Sequence, residues 1–317
     1  MGLITQAPTA MTPTDQRIDI RDWSLLSVLW GGSFFFNGVV LRELPPLTVV
    51  LLRVALAALV LLPVLWAYKI RLPRTVAGWK PFFAIALLNN VLPFSLIVTG
   101  QTYVSSGLAS ILNATTPLFT VLVMAAAGDE RLLARRVAGV VIGLIGVAIL
   151  HGQHLGFSSG QGFGILLCLA GAFSYGLSAL YARRKLSDSP PLATATFQMM
   201  ASTLMMAVIA GVVERPWQLP MPGVTTWLAL LGLAGLSTAL AYIVFFQILR
   251  RSGPTNVMLV TLLIPVTAIL LGYLVLGETM TLTEITGALV IGSALLVIDG
   301  RALGFIRGVV SIPKASR

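Results

Sequence analysis

The chain has 317 residues, of which 57% are hydrophobic and only 10% charged, with a mean hydropathy of +0.93 and a formal net charge of +10. So few charges do not cover a water-soluble globule, and the composition points to a bilayer. The basic excess does not signal nucleic acid, because the lysines and arginines stand in short clusters between apolar runs rather than along one solvated face.

In chain order, the start MGLITQAPTAMTPTDQRIDIRD has Pro and Asp but no apolar core before Trp23, so no cleaved signal is expected. Gly2 fits a myristoylation pattern, but Gln6 stands where Ser or Thr is needed. Residues 1–22 read as a cytosolic tail. A spanning helix needs about 20 apolar residues. Ten such runs follow, at approximately 23–41, 46–68, 78–100, 107–127, 134–150, 162–182, 192–213, 224–249, 255–276 and 284–299.

The runs repeat. TTPLFTVLVMAAAGDE (115–130) returns as LIPVTAILLGYLVLGE (263–278), with Pro117 on Pro265 and Glu130 on Glu278. The same shift of 148 residues carries Trp79 onto Trp227 and Gly139 onto Gly287. Composition alone does not place rare Pro, Glu and Trp at one offset, so a duplicated half is expected. Five runs per half is an odd number, so the second half enters the membrane inverted. The expected fold is therefore all-α integral membrane, ten transmembrane helices as two inverted five-helix repeats. They span 23–150 and 162–299, joined by a periplasmic linker at 151–161 and followed by a cytosolic tail at 300–317.

Charge fixes the orientation. With both termini cytosolic, inside segments hold 18 of the 21 basic residues, while outside segments keep only Arg42 and Arg215. The linker HGQHLGFSSGQG holds both histidines, His151 and His154, without a nearby carboxylate or thiolate, so no metal site is expected. Cys168 is the single cysteine and excludes an intrachain disulfide. No cofactor is expected.

WGGSFFFN, PLTVVLLRVALAAL, the proline-to-glutamate segment with RRVAGVVIGLIGVAIL, and GETMTLTEITGALVIGSALLVI together resemble the EamA-type transporters of the drug/metabolite transporter superfamily. The resemblance runs from about residue 23 to 299. It implies a ten-helix inner-membrane carrier, often an exporter of amino acids or related metabolites. One departure is Ala170-Gly171 in the sixth run, where the first has Trp30-Gly31.

Polar groups deep in a span should face a cavity or a partner helix. Asn89 and Asn90 in the third run map onto Ser237 and Thr238 in the eighth, near mid-bilayer in both halves. Inverted-repeat carriers bind substrate at that depth. The alternative is interhelical hydrogen bonding alone. Asn113, Thr116 and Thr120 form a stripe beside Pro117, echoed by Thr261 beside Pro265. Each proline frees a carbonyl, at Asn113 and at Thr261, and makes its helix a candidate hinge. Ser174, Ser178 and Tyr181 with Gly171 share one face of the sixth run, Trp30, Phe34 and Asn37 one face of the first, and Tyr242 completes the candidate pathway.

Arg53 is the basic residue within a span, and its repeat equivalent is Gln198, each seven residues after a proline. It reads as a countercharge for a solute carboxylate or as a guanidinium reaching outward to the interface, with its shallow depth favouring the second. Glu130 and Glu278 are expected to hold neighbouring helix ends. All eleven Asp and Glu lie in loops or at helix ends, leaving no mid-membrane proton relay. Gly139 and Gly143 form a GxxxG pair suited to helix packing or to a homodimer face. The expected partners are a small solute and the bilayer, with no nucleic acid. A non-transporting receptor or assembly subunit is the alternative, and a membrane enzyme lacks an acid/base or metal constellation.

Overall fold

The structure, a computed structural model, describes residues 20–130, 133–151, 160–252 and 254–299. Among these residues the regular structure is helical and, apart from one short turn at Pro216–Gln218, falls into ten runs. They are α1 (Ile20–Val40), α2 (Pro46–Ala67), α3 (Val76–Gly100), α4 (Ser106–Ala126), α5 (Ala134–His151), α6 (Gly160–Lys185), α7 (Pro191–Val213), α8 (224–252), α9 (254–276) and α10 (Leu282–Asp299). Seven of them, α1 to α4 and α6 to α8, are long and apolar enough to cross a membrane, and α9 and α10 contribute shorter apolar helices. Leu59, Val208, Leu228, Leu274 and Leu289 are each more than half exposed. Large aliphatic side chains turned outward on so many helices match hydrocarbon rather than water. The protein is an all-helical membrane protein.

Local chemistry sets the helix starts. Pro46 and Pro191 open α2 and α7, where a missing N–H costs nothing. Ser105 caps α4, its Oγ accepting from Leu108 N at 3.2 Å. Thr281 and Glu284 form a reciprocal capping box on α10, with Thr281 N donating to Glu284 Oε2 at 2.8 Å and Glu284 N to Thr281 Oγ1 at 3.2 Å.

Three helices widen into π turns, α3 at Leu87–Val91, α8 at Gly232–Leu240 and α9 at Gly272–Leu276. The first two fall on equivalent stretches of the two halves. The prolines behave differently. Helix α4 is interrupted at Ala114 and Thr115 ahead of Pro117, whereas Pro265 sits inside a continuous stretch, Pro254–Leu271. The sequence expects two matching kinks, and side-chain chemistry accounts for the difference. Thr115 Oγ1 donates to Leu112 O at 2.5 Å and Thr116 Oγ1 to Asn113 O at 2.7 Å, offering the backbone an alternative to its ladder. Their equivalents in α9 are Leu263 and Ile264, which have no hydroxyl. The carbonyl freed at Asn113 is thus bonded to Thr116 rather than bare.

The helices pair regularly. Helix α5 lies on α10 and α2 on α7; α1 packs on α9 and α8, and α6 packs on α4 and α3. Advancing every number by five, cyclically, regenerates the same pairs. Glycines permit the close approaches. A Cβ on Gly31 of α1 would lie 2.6 Å from Thr267 Cβ and 2.8 Å from Ile264 O on α9. Gly139 faces Ile298 and Ala294 on α10, and Gly143 faces Leu118 on α4, so both glycines of the GxxxG pair pack within the chain.

One end of the bundle is sealed by carboxylates on helix N-termini. Glu278 accepts from Ser106 N at 3.0 Å and Gly107 N at 3.4 Å, Glu214 from Leu47 N and Thr48 N at 2.9 and 2.6 Å, and Glu43 from Gly223 N at 2.7 Å. Anions at these positions complement the helix dipole and its orphan donors. At the opposite end α6 is tied to the end of α4: Arg184 binds Asp129 at 2.5 Å and Arg183 binds Glu130 at 2.9 Å, while Arg136 also pairs with Glu130. The Arg184 hydrogen bond holds the Asp129 carboxyl below its ordinary pKa.

Candidate solute cavity

Between the two halves lies a cavity of about 600 Å³, lined by α1 to α4 and α6 to α9. Its walls mix aromatic side chains, among them Trp30, Phe34 and Phe245, with a cluster of neutral polar groups and one arginine. It continues past Leu186, Ser187 and Ser189 of the α6–α7 loop, where Ser187 is exposed, and so reaches the surface at the end opposite the seal. Toward the sealed end a polar layer closes it. Asn37 Nδ2 donates to Gln101 Oε1 at 2.8 Å, and Gln101 Nε2 donates to Phe34 O at 3.0 Å.

Arg53 does not reach outward. It is 7% exposed, its Nε donates to Thr238 Oγ1 on α8 at 3.0 Å, and its Cζ stands 3.9 Å from the centroid of the Phe94 ring. Thr238 Oγ1 in turn donates to Leu233 O at 2.8 Å, which orients it to accept from the guanidinium. Among the described residues no carboxylate pairs with Arg53, and its remaining N–H groups have no hydrogen-bond partner while the residue lines the cavity. α2 packs against both α7 and α8.

Beside it runs a second polar chain. Ser178 Oγ donates to Asn89 Oδ1 at 2.9 Å, Asn89 Nδ2 donates to Tyr242 Oη at 3.3 Å and to Gln198 Oε1 at 3.4 Å, and Gln198 Nε2 donates to Tyr242 Oη at 3.2 Å. The network joins α3, α6, α7 and α8. Asn113 Oδ1 and Ser237 Oγ belong to lining residues and are buried without a hydrogen-bond partner among the described residues.

Of the residues singled out from sequence, Arg53, Asn89, Asn113, Thr116, Pro117, Ser178, Ser237, Tyr242 and Thr261 line this cavity, and Thr238 stands behind Arg53. Three lie elsewhere. Asn90 is fully buried and donates to Ser202 Oγ on α7 at 2.9 Å, Ser174 Oγ donates to Leu88 O at 2.7 Å, and Pro265 lines a separate apolar cavity of about 590 Å³ between α4, α9 and α10. Gln198 and Tyr175 also line the main cavity without having been proposed for it, although Gln198 carried a signal as the repeat equivalent of Arg53. The arrangement suits recognition of a solute. It presents no nucleophile with an adjacent base, and no cluster of metal-ligating residues occurs among the described residues.

The chain is similar to known transporters over most of its length. The chain is 28% identical over 286 residues to a probable amino-acid metabolite efflux pump of Salmonella typhimurium, covering 86% of this chain and 92% of that one. It is 24% identical to the uncharacterized transporter YoaV of Bacillus subtilis (84% and 91% covered) and 27% identical to the uncharacterized inner membrane transporter YedA of Escherichia coli K12 (82% and 83%). One crystal structure shares the fold with a TM-score of 0.65 at 19% identity, covering 95% of this chain and all of the other. The EamA-like transporter family matches twice in succession, at residues 23–151 and 162–298, and the chain belongs to that family.

Proposed function

We propose that the protein is a secondary carrier of the inner membrane that exports a small polar metabolite, such as an amino acid or a related compound, by alternating access between two inverted five-helix repeats. The observation that carries this reading is the polar cavity, closed at one end by Gln101, Asn37 and Glu278 and reaching the surface at the other. A binding site open to one side is half of a transport cycle. The basic residues Arg183, Arg184 and Lys185 flank the open end, so the positive-inside rule assigns that end to the cytosol and both termini with it. The helix pairing, which reproduces itself on advancing five helices, supports the duplicated architecture, as do the two successive family matches. Interruption of α4 beside Pro117 supplies a place for it to bend. The name of the Salmonella relative supports an amino-acid metabolite as cargo.

Purified protein in liposomes tests this. Preloaded vesicles should exchange a radiolabelled member of an amino-acid and organic-acid panel against its unlabelled form without chemical change. Failure of every solute to exchange, with folded protein in the vesicles, removes the carrier reading.

A further inference from the structure

The charge balance of the cavity is one-sided. Arg53 is the only charged side chain lining it among the described residues, and the nine Asp and Glu among those residues lie in loops or at helix ends. An arginine keeps its proton under any accessible condition. Its Nε is held by Thr238 and its face by Phe94, so the remaining N–H groups are fixed in position toward the cavity. The other polar lining groups, among them Asn89, Asn113, Gln198, Ser237 and Tyr242, are neutral.

We propose that the cavity selects a solute with one carboxylate and no compensating cation, so that each export cycle moves one net negative charge outward and is driven by the inside-negative membrane potential. This rests on the carrier reading above. The physical step is neutralisation. A guanidinium with a bound carboxylate forms a complex of net charge zero, and the occluded complex crosses the low-dielectric middle of its path at the least desolvation cost. A zwitterion in the same place leaves a net charge of plus one and gives its ammonium no anionic partner. The return step carries the field dependence, because the empty carrier brings the Arg53 charge back toward the negative interior. For a monovalent anion a potential of about 100 mV corresponds to an equilibrium gradient of roughly 50-fold. No proton relay is required.

The test uses the wild-type protein in liposomes whose potential is set by valinomycin and a potassium gradient, with three probes of one side chain: an amino acid, its N-acetyl derivative of net charge −1 and its amide of net charge +1. The N-acetyl form should be taken up many-fold faster at inside-positive than at inside-negative potential. Exchange of labelled against unlabelled N-acetyl form, which moves no net charge through the empty carrier, should be insensitive to the potential. Arg53→Gln should abolish stabilisation of the detergent-purified protein by the N-acetyl form, and Arg53→Lys should retain part of it. Equal handling of all three probes, or uptake of the zwitterion independent of potential, overturns the anion proposal and leaves the carrier standing. Thermal stabilisation by the N-acetyl form without movement of any probe overturns the carrier reading and with it the electrogenic cycle, while the anion-selective site stands. Neither stabilisation nor movement by any probe overturns both.

Discussion

Glu278 and Glu130 occupy equivalent positions 148 residues apart, yet they hold different partners: Glu278 accepts the backbone N–H groups of Ser106 and Gly107, whereas Glu130 pairs with Arg183 and Arg136. The difference follows the two ends of the cavity. Where the carboxylate sits on the N-terminus of α4 the path is closed, and where it is drawn aside by arginines the path is open. Both serve helix ends or the segments beside them, as their positions at the ends of apolar runs suggest.

Removal of the seal should therefore favour opening at that end. A hydrogen bond to a charged group contributes about 1.5–3 kcal/mol, so Glu278→Ala should shift the gate equilibrium by roughly 30-fold toward the outward-open form. Cysteine placed at Ser33, a lining residue near the polar layer, reports this. Its labelling from outside by an impermeant thiol reagent should accelerate on the Glu278→Ala background, and an unchanged rate would remove Glu278 from the seal.

Orientation follows from the basic clusters. Cys168 is fully buried, so an introduced cysteine gives the only accessible thiol among the described residues. Gln218 and Ser187 are both exposed, at opposite ends of the bundle. In intact cells Gln218→Cys should label and Ser187→Cys should label only after permeabilisation. The reverse pattern inverts the assignment and turns the cavity outward.

The all-helical membrane fold is legible in the sequence, because apolar runs of spanning length are a one-dimensional signal. The facing of adjacent polar residues is not. Asn89 and Asn90 both fall in a π turn, which has more residues per turn than an α-helix and so shifts every side chain from its α-helical direction. Which of the two meets the cavity depends on where α7 lies, and that is a tertiary fact. Arg53 fails the same way: counted along the sequence it is two turns from the helix end, but in the fold it is buried, bonds to Thr238 on α8 and lines the cavity. Gln101 had no repeat or spacing signal, and it becomes part of the closure only because α1 brings Asn37 beside it.

Glycine packing offers a contrast between two helices that touch. A Cβ on Gly146 would lie 2.7 Å from Ile291 Cγ1 and 3.2 Å from Gly287 O on α10, while one on Gly292 would meet nothing within 4 Å. Gly146→Leu should lower stability by about 1–3 kcal/mol through overpacking. Gly292→Ala should be neutral or stabilising by up to about 1 kcal/mol, since alanine is the better helix former. Thermal unfolding in detergent distinguishes them, and similar midpoints would contradict the α5–α10 contact.

The adjacent asparagines give the sharpest separation of binding from folding. Asn89 lines the cavity and shares its hydrogen bonds with Ser178, Gln198 and Tyr242, whereas Asn90 is fully buried against α7 and bonds to Ser202. Asn89→Leu places apolar volume into the cavity and removes the hydrogen bonds to Ser178, Gln198 and Tyr242, so solute recognition is lost along with part of the stability. Asn90→Leu instead removes a buried hydrogen bond, worth about 1 kcal/mol, and forces a branched side chain against Met199 and Ser202, adding roughly 1–3 kcal/mol of overpacking. Both variants should unfold below the wild type, but the Asn89→Leu protein should exchange little solute per folded molecule, whereas the Asn90→Leu protein should exchange solute in proportion to its folded fraction. Were Asn90→Leu stable and inactive while Asn89→Leu transported normally, the two side chains would have to exchange roles, and the facing of the π turn in α3 would be wrong.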